Sequence, residues 1–392
     1  LQERILAACS ELLGPQGVAY VSYNTYPGWH LRGICRSMMA YHSGRYEDPG
    51  TRVSQARAFL DFMAQSIPDQ DSAYGTLLKR ELDLLRGQSD SYLYHDHLED
   101  VNEPSYFFEF AKRAAGHRLQ YLGEARLGIM SADEFPPHVQ KTLKLLATDI
   151  IQMEQYLDFL RNRTFRQTLL CHEDVSVSRT LDWTRLRGLY VSADVRPTTE
   201  SPELAAGKME SFTDAGGRTA TSDHPCIKAA LVILAKLWPQ PVLFEELVQQ
   251  CVEQVRKVGS YDRAHAQLVG EMLLQGYTTG GVHVQTGRPT FVTSVSNAPQ
   301  AGLVARVQSQ TSSVVANQRH TLVALDPIDS TVIQILDGRH DTDSIVRHIW
   351  GAFATGSLAP QPSGDREAVY NECTNLVSAS LQRLAREALL IA

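Results

Sequence analysis

Apolar residues step along the chain in two different periods. Ile5, Leu6, Leu12 and Leu13 recur at helical spacing, which predicts a short helix over 3–13. Gly14-Pro15-Gln16-Gly17 then turns the chain into Val18-Ala19-Tyr20-Val21-Ser22-Tyr23, a nearly continuous apolar run that predicts a strand. A strand apolar on both faces belongs in a parallel sheet with helices on each side, so its partners must come from elsewhere. From 30 to 116 the pattern is helical almost throughout. Phe59, Leu60, Met63 and Ile67 form one stripe, and Leu77, Leu78, Leu82 and Leu85 another. Asp48-Pro49-Gly50 and Ile67-Pro68-Asp69 punctuate them. "HRLQYLGEARL" (117–127) and "FRQTLLCH" (165–172) read as strands on either side of one long helix. That helix starts after Pro136-Pro137, and Val139, Leu143, Leu146, Ile150, Met153, Leu157 and Leu160 step along it at 4-3-4-3-4-3. Helices are thus expected to interrupt one sheet, to which the chain later returns.

The stretch 197–223 is polar and rich in small residues and glycine, which predicts a linker. Two helices around Pro239-Gln240-Pro241, a third over 260–275 and a hairpin in "GYTTGGVHVQTGRPTF" follow, the layout of a winged helix over 224–300. A second such unit is expected over 301–392. It has a strand pair around "VANQRHTLVALD", helices at 327–336, 341–353 and 365–390, and a Pro/Gly/Ser loop at 356–364.

Bulk properties narrow the function classes. With 392 residues the chain is long enough for several buried cores, and its net charge of −7 favours neither nucleic acid nor anionic membrane. The six cysteines are far apart, with no Cys-x-x-Cys pair, which argues against a zinc ribbon or disulfide framework and fits a reducing cytoplasm. No apolar run approaches the ~20 residues that span a bilayer. Across the first winged helix, Lys228, Lys236, Arg256, Lys257, Arg263 and Arg288 are balanced by Asp223, Glu245, Glu246, Glu253, Asp262 and Glu271. A net of zero leaves no electrostatic footprint for phosphates. Both terminal units therefore read as protein-recognition or structural modules, and no nucleophile elbow or activated cysteine is evident.

"LLGPQGVAYVSYNTYPGWHLRG" resembles the fifth strand of a class I S-adenosylmethionine-dependent methyltransferase. With the ending Tyr23-Asn24-Thr25-Tyr26-Pro27-Gly28-Trp29, "VNEPSYFFEF" (101–110), "LQYLGEA" (119–125) and "FRQTLLCH", the chain is similar to bacterial methyltransferases that carry a methyltransferase regulatory domain. That group includes the rickettsial-type protein lysine methyltransferases. The resemblance implies the last strands of a Rossmann-like sheet at 1–29 and 117–196, and an inserted helical regulatory domain at 30–116. A linker at 197–223 and two winged-helix-like α+β modules at 224–300 and 301–392 would follow. It implies S-adenosylmethionine as cofactor of the intact enzyme and a protein substrate, with lysine as the acceptor to test. One departure stands out. Such enzymes cradle the cofactor with glycines at i and i+2, because the backbone must approach it closely. None of the 26 glycines here has that spacing. The chain is therefore expected to be the C-terminal portion of such an enzyme, without cofactor binding or catalysis of its own.

The loop past the strand holds the first candidates. Tyr23, Asn24, Tyr26 and Trp29 would wall a channel for a substrate amine, since aromatic faces attract cations and exclude water; the bland alternative is a turn whose rings cap the sheet. Asn102, Glu103 and Tyr106 would face the same opening, or else Pro104 opens a helix with Asn102 or Glu103 at its cap. His95 and His97 invite a metal, but on a helix their rings diverge by about 200°. They read better as a helix end and a solvated face. The heptad run at 139–160 serves as a homodimer seam or as a cover for the sheet. Two rivals to the methyltransferase reading are a stand-alone interaction scaffold and a winged-helix regulator, the latter weakened by charge.

Overall fold

A computed structural model describes residues 1–256, 264–359 and 364–392; the start of the expected third winged-helix helix and part of the 356–364 loop lie outside the described residues. The chain divides into two compact units, 1–179 and 180–392.

In the first unit, α1 (Gln2–Leu12) leads into β1 (Ala19–Asn24), as the turn at 14–17 requires. The expected helical insertion follows as α2 (Gly28–Ser43), α3 (Pro49–Ser66), α4 (Ala73–Arg86), α5 (Asp90–Leu93) and a π-helical turn, Tyr94–Leu98. Asp48 and Ser72 cap α3 and α4 through Thr51 N and Gly75 N. The two predicted stripes meet in one core, where Leu60 packs with Leu78, Leu82, Leu85, Cys35 and Met39. The chain returns through α6 (Phe107–Gly116), β2 (Leu119–Glu124), α7 (Pro137–Leu146), α8 (Ile150–Arg161) and β3 (Phe165–His172).

The sheet order is β1-β3-β2, and both pairings are antiparallel, Ala19 opposite Leu170 and Leu119 opposite His172. The neighbour that β1 has among these residues is thus antiparallel, where its apolar run led to the expectation of a parallel sheet. Period alone cannot tell a strand with parallel neighbours and helices on both faces from one beside an antiparallel return. One face of the sheet buries Ala19, Leu119 and Leu170 against Leu6 of α1 and Phe110 and Ala114 of α6.

The heptad run is also corrected. It breaks at 147–149, where Asp149 Oδ1 accepts from Gln152 N at 2.8 Å and Gln152 Oε1 accepts from Thr148 N at 3.1 Å. This reciprocal cap starts a new helix, and the apolar positions no longer share one line. Leu143 and Leu157 are buried, whereas Leu146 and Leu160 are exposed.

In the second unit, β4 (Tyr190–Ser192) precedes a meander that occupies most of the expected linker: β5 (Val195–Pro197), β6 (Glu210–Asp214) and β7 (Thr219–Ser222). Gly217, at φ +77°, turns the β6–β7 hairpin. The long β5–β6 connection is stapled by Lys228, fully buried, whose ammonium donates to the carbonyls of Glu203, Ala205 and Lys208 at 2.6–2.8 Å. A Lys buried against three carbonyls leaves no trace in composition, which is why the stretch reads as a linker.

Lys228 belongs to α9 (Pro225–Leu237), followed by β8 (Val242–Leu243), α10 (Phe244–Arg256), α11 (Ala264–Thr279) and β9 (His283–Gln285). β4 lies between β8 and β9, and Leu186, Val191 and Ala193 share the core of α9 and α10. The boundary thus falls near 180 instead of 196. The "GYTTGGVHVQTGRPTF" stretch gives the end of α11 and one strand, not a hairpin. The last module is α12 (Leu303–Gln308), β10 (Val314–Ala316), β11 (Leu322–Ala324), α13 (Pro327–Ile335), α14 (Thr342–Ala354) and α15 (Arg366–Arg386). Its core, from Val315 to Leu390, matches the helices and strand pair expected there. Among the described residues, no helix is long and apolar enough to cross a membrane.

Candidate functional site

The carboxyl end of β1 is held by two separate segments, around Ser105 and over 162–164. Thr25, fully buried, donates its hydroxyl to Ser105 O at 2.7 Å and its amide to Thr164 O at 3.0 Å. Gly28 N donates to Arg163 O at 2.9 Å. A Cβ on Gly28 would stand 2.6 Å from the carbonyl oxygens of Asn162 and Arg163, so α2 can start here only from glycine. Asn162 ends α8 in the left-handed conformation, φ 49°, and brings that backbone into place. Gly28 is therefore packed by the chain itself and offers no surface to a nucleotide-type ligand.

Two predicted residues, Asn24 and Asn102, meet beneath the loop. Asn24 Nδ2 donates to Asn102 Oδ1 at 3.3 Å, and Asn102 Nδ2 donates to Asp96 O at 2.8 Å, tying the strand end to the π-helical turn. Two others meet above it. The Tyr26 and Tyr106 rings lie 5.3 Å apart at 48°, and His30 joins them, stacked on Tyr26 at 4.0 Å with Nε2 3.0 Å from Tyr106 Oη. Phe108 and Phe159, each about half exposed, flank Tyr106 at 5.7 and 6.0 Å. The result is a corner of aromatic faces open to solvent.

The remaining predicted residues lie elsewhere. Tyr23 turns toward the sheet core, stacked on Phe110 at 4.1 Å with its hydroxyl 3.3 Å from Thr168 Oγ1. Burial pushes its phenol well above the ordinary tyrosine value, with Arg166 opposing. Trp29 is 2% exposed and faces His97 at 5.6 Å, so its ring packs inside the helical insertion instead of walling the corner. Glu103 is exposed, and its carbonyl accepts from Gln2 Nε2. Pro104 does not open α6: the helix begins at Phe107, and Glu109 Oε2 accepts from Tyr106 N at 3.2 Å.

His97 departs from the expected solvated face. It is fully buried, and desolvation, with Arg32 and Arg36 nearby, lowers its pKa to about 4, so the imidazole is neutral. The π-helical turn rotates it away from His95, which stays exposed 3.9 Å from Glu99. Among the described residues, no group of three or more His, Cys, Asp and Glu is placed to hold a metal ion.

Sequence reasoning missed two features. His30 lies in the first turn of α2 and Tyr26 in the turn before it, so no helical spacing in the sequence pairs them. The other is a buried ionic cluster under β3. Arg166, with no exposed surface, reaches Asp158 twice, Glu124 at 2.5 Å and Glu154 at 3.0 Å, and lies over the Phe107 ring at 3.8 Å. Arg163 reaches Asp158 at 3.1 Å. Burial raises the carboxyls of Glu154 and Asp158, with the arginines opposing.

Comparison with known proteins places these features. Residues 89–172 match the family described as predicted methyltransferase regulatory domain, and residues 297–389 match the PKMT C-terminal winged helix domain. The first match takes in the end of the helical insertion and both returning strands, a different span from the expected 30–116. Uncharacterized protein RP789 of Rickettsia prowazekii (strain Madrid E) is 29% identical over 404 residues, covering 100% of this chain and 72% of that protein. PKMT2 from Rickettsia typhi superposes with a TM-score of 0.85 at 25% identity, covering 100% of this chain and 78% of that one. PKMT2 in complex with AdoHcy superposes with a TM-score of 0.83.

Proposed function

From a chain that carries a methyltransferase regulatory domain and a PKMT C-terminal winged helix domain, we propose that these residues dock the acceptor for an S-adenosylmethionine-dependent protein methyltransferase acting on lysine. The observation that carries this reading is the open corner of Tyr26, His30 and Tyr106 at the carboxyl end of β1, the end of a sheet strand where α/β folds bind ligands. A lysine amine is cationic before it is activated and cationic again once methylated, and ring faces favour both states. The flanking Phe108 and Phe159 remove water from one side, which strengthens that attraction.

The cofactor is a separate matter. The chain has no glycine pair at i and i+2, and the glycine nearest the strand end is packed against residues 162–164. These residues do not fit S-adenosylmethionine, and on this reading it is held outside the 392 residues, which do not transfer the methyl group alone. Their part is to orient the acceptor, through the Asn24–Asn102 bond and the fixed start of α2.

Two titrations test the reading. NMR titration of the chain with Nα-acetyl-L-lysine methylamide should shift the Tyr26, Tyr106 and His30 ring signals saturably, and in a Tyr26→Ala, Tyr106→Ala double variant the His30 signal should no longer saturate. Calorimetry with S-adenosylmethionine should register no binding. Micromolar affinity for the cofactor would overturn the assignment of the cradle, and unshifted tyrosines would overturn that of the corner.

A further inference from the structure

His30 is required neither by the family resemblance nor by the candidate residues of the loop. Yet it is the group through which Tyr26 and Tyr106, eighty positions apart in the chain, are joined. The frames on both sides are rigid. His30 N donates to Pro27 O at 3.0 Å in the first turn of α2, and that turn is locked by the packing of Gly28 on residues 162–164. On the other side, Ser105 is buried and bonded to Thr25, and the Tyr106 backbone is held by Glu109. What these anchors leave free is the direction of the Tyr106 phenol and the tilt of the Tyr26 ring. The imidazole determines both, with Nε2 3.0 Å from the phenol oxygen and its face 4.0 Å from Tyr26, nearly parallel at 14°.

We propose that His30 is a positioning residue of the acceptor corner, its ring a plate for Tyr26 and its Nε2 the hydrogen-bond partner that orients the Tyr106 phenol toward an incoming lysine amine. The inference rests on the acceptor reading above and deepens it. Its physical basis is preorganisation. A tyrosine that must be ordered on binding weakens affinity, by about two- to tenfold for each side chain immobilised. A corner already ordered by His30 avoids that loss. The hydrogen bond contributes direction as well, because either the phenol O–H donates to the imidazole or the phenol oxygen accepts from its N–H, and in both cases at least one phenol lone pair is left for the amine.

The test is a double-mutant cycle on the whole chain, read by NMR titration with Nα-acetyl-L-lysine methylamide. His30→Ala should weaken binding about three- to tenfold. His30→Gln, which can bond the phenol but cannot stack, should recover part of that loss, as should His30→Phe, which stacks but cannot bond. Tyr106→Phe should weaken binding in the wild-type background and hardly at all beside His30→Ala. Because the imidazole is exposed, the melting temperature should stay close to wild type in each case, whereas a merely structural role would lower it. Equal affinity of wild type and His30→Ala, or strictly additive losses in the cycle, removes His30 from this role and leaves the acceptor corner standing. Failure of the wild type to saturate removes the corner, and this inference with it.

Discussion

Asp158 and Arg166 meet side by side through two hydrogen bonds, Nε to Oδ2 at 2.8 Å and Nη2 to Oδ1 at 2.9 Å, and neither side chain reaches solvent. The pair sits within a cluster of two guanidiniums and three carboxyls. Replacing Arg166 with Met would leave Asp158, Glu124 and Glu154 buried around a thioether. Unpairing a buried ion pair costs about 3–5 kcal/mol. Urea unfolding of Arg166→Met should report a loss of that size, and a loss below about 1 kcal/mol would show that the cluster relaxes into water.

Glu154 gives the cluster a pH signature. Two arginines face three carboxyls, and burial raises Glu154 and Asp158 above their ordinary values. A carboxyl raised in the folded state holds its proton where the unfolded chain has lost it. Its contribution is therefore greatest below roughly pH 4, the ordinary carboxylate range, and declines as pH rises through the raised value. Glu154→Gln keeps the side chain neutral and leaves two arginines against two carboxylates. Its unfolding free energy should fall less steeply than that of wild type as pH rises from about 4 toward neutrality. Parallel curves would rule out Glu154 as the proton carrier.

Gly28 is the narrowest point of the loop. An alanine there drives its Cβ into the Thr164 methyl at 2.5 Å and into two backbone carbonyls at 2.6 Å, and the carbonyls cannot swing away. Overpacking of this kind costs about 1–3 kcal/mol. The displacement should also pull Tyr26 and His30 off Tyr106. Gly28→Ala is expected to lower the melting temperature and, in the lysine-probe titration, to weaken binding; Gly33→Ala, on the same helix with open space around it, serves as the control.

His97 supplies the opposite pH dependence. Its pKa is lowered to about 4, so its neutral form is built into the folded state. The corresponding stability is fully present above roughly pH 6.5, the unfolded imidazole value, and is lost as pH falls toward 4, to a total of about 3 kcal/mol. His97→Phe cannot be protonated and should lack that acid-side loss. Unfolding curves at pH 7 and pH 4.5 for both chains measure it, and an equal loss in the two would show that His97 stays accessible to protons.

Much of the architecture was legible in the pattern. The helix over α1, the β3 strand and the stripes of α3 and α4 all follow from period, turn residues and proline. What the pattern concealed were contacts between distant residues. Neither the antiparallel return of β3 beside β1 nor the capping exchange between Thr148, Asp149 and Gln152 alters hydrophobic spacing. The strands at 195–222 read as a linker because Lys228, a residue ordinarily found at surfaces, is the one that holds them. On the loop after β1, residue types did not disclose side-chain direction. Tyr23 and Trp29 look as available as Tyr26 in the sequence, and only packing against Phe110 and His97 distinguishes them.

The pairing of β1 with β3 also has a consequence in time. Asn24 leaves the ribosome long before Phe165, its partner in the sheet. At about 5–20 residues per second, synthesis of the intervening chain occupies about 7–28 s. Throughout that interval β1 has no β3 to pair with, while the contacts among α2, α3 and α4 can already form. The helices of the insertion can thus pack before the strand that precedes them finds its partner, whereas the aromatic corner, which needs Tyr106 and the 162–164 backbone, can close only once residue 164 has been made.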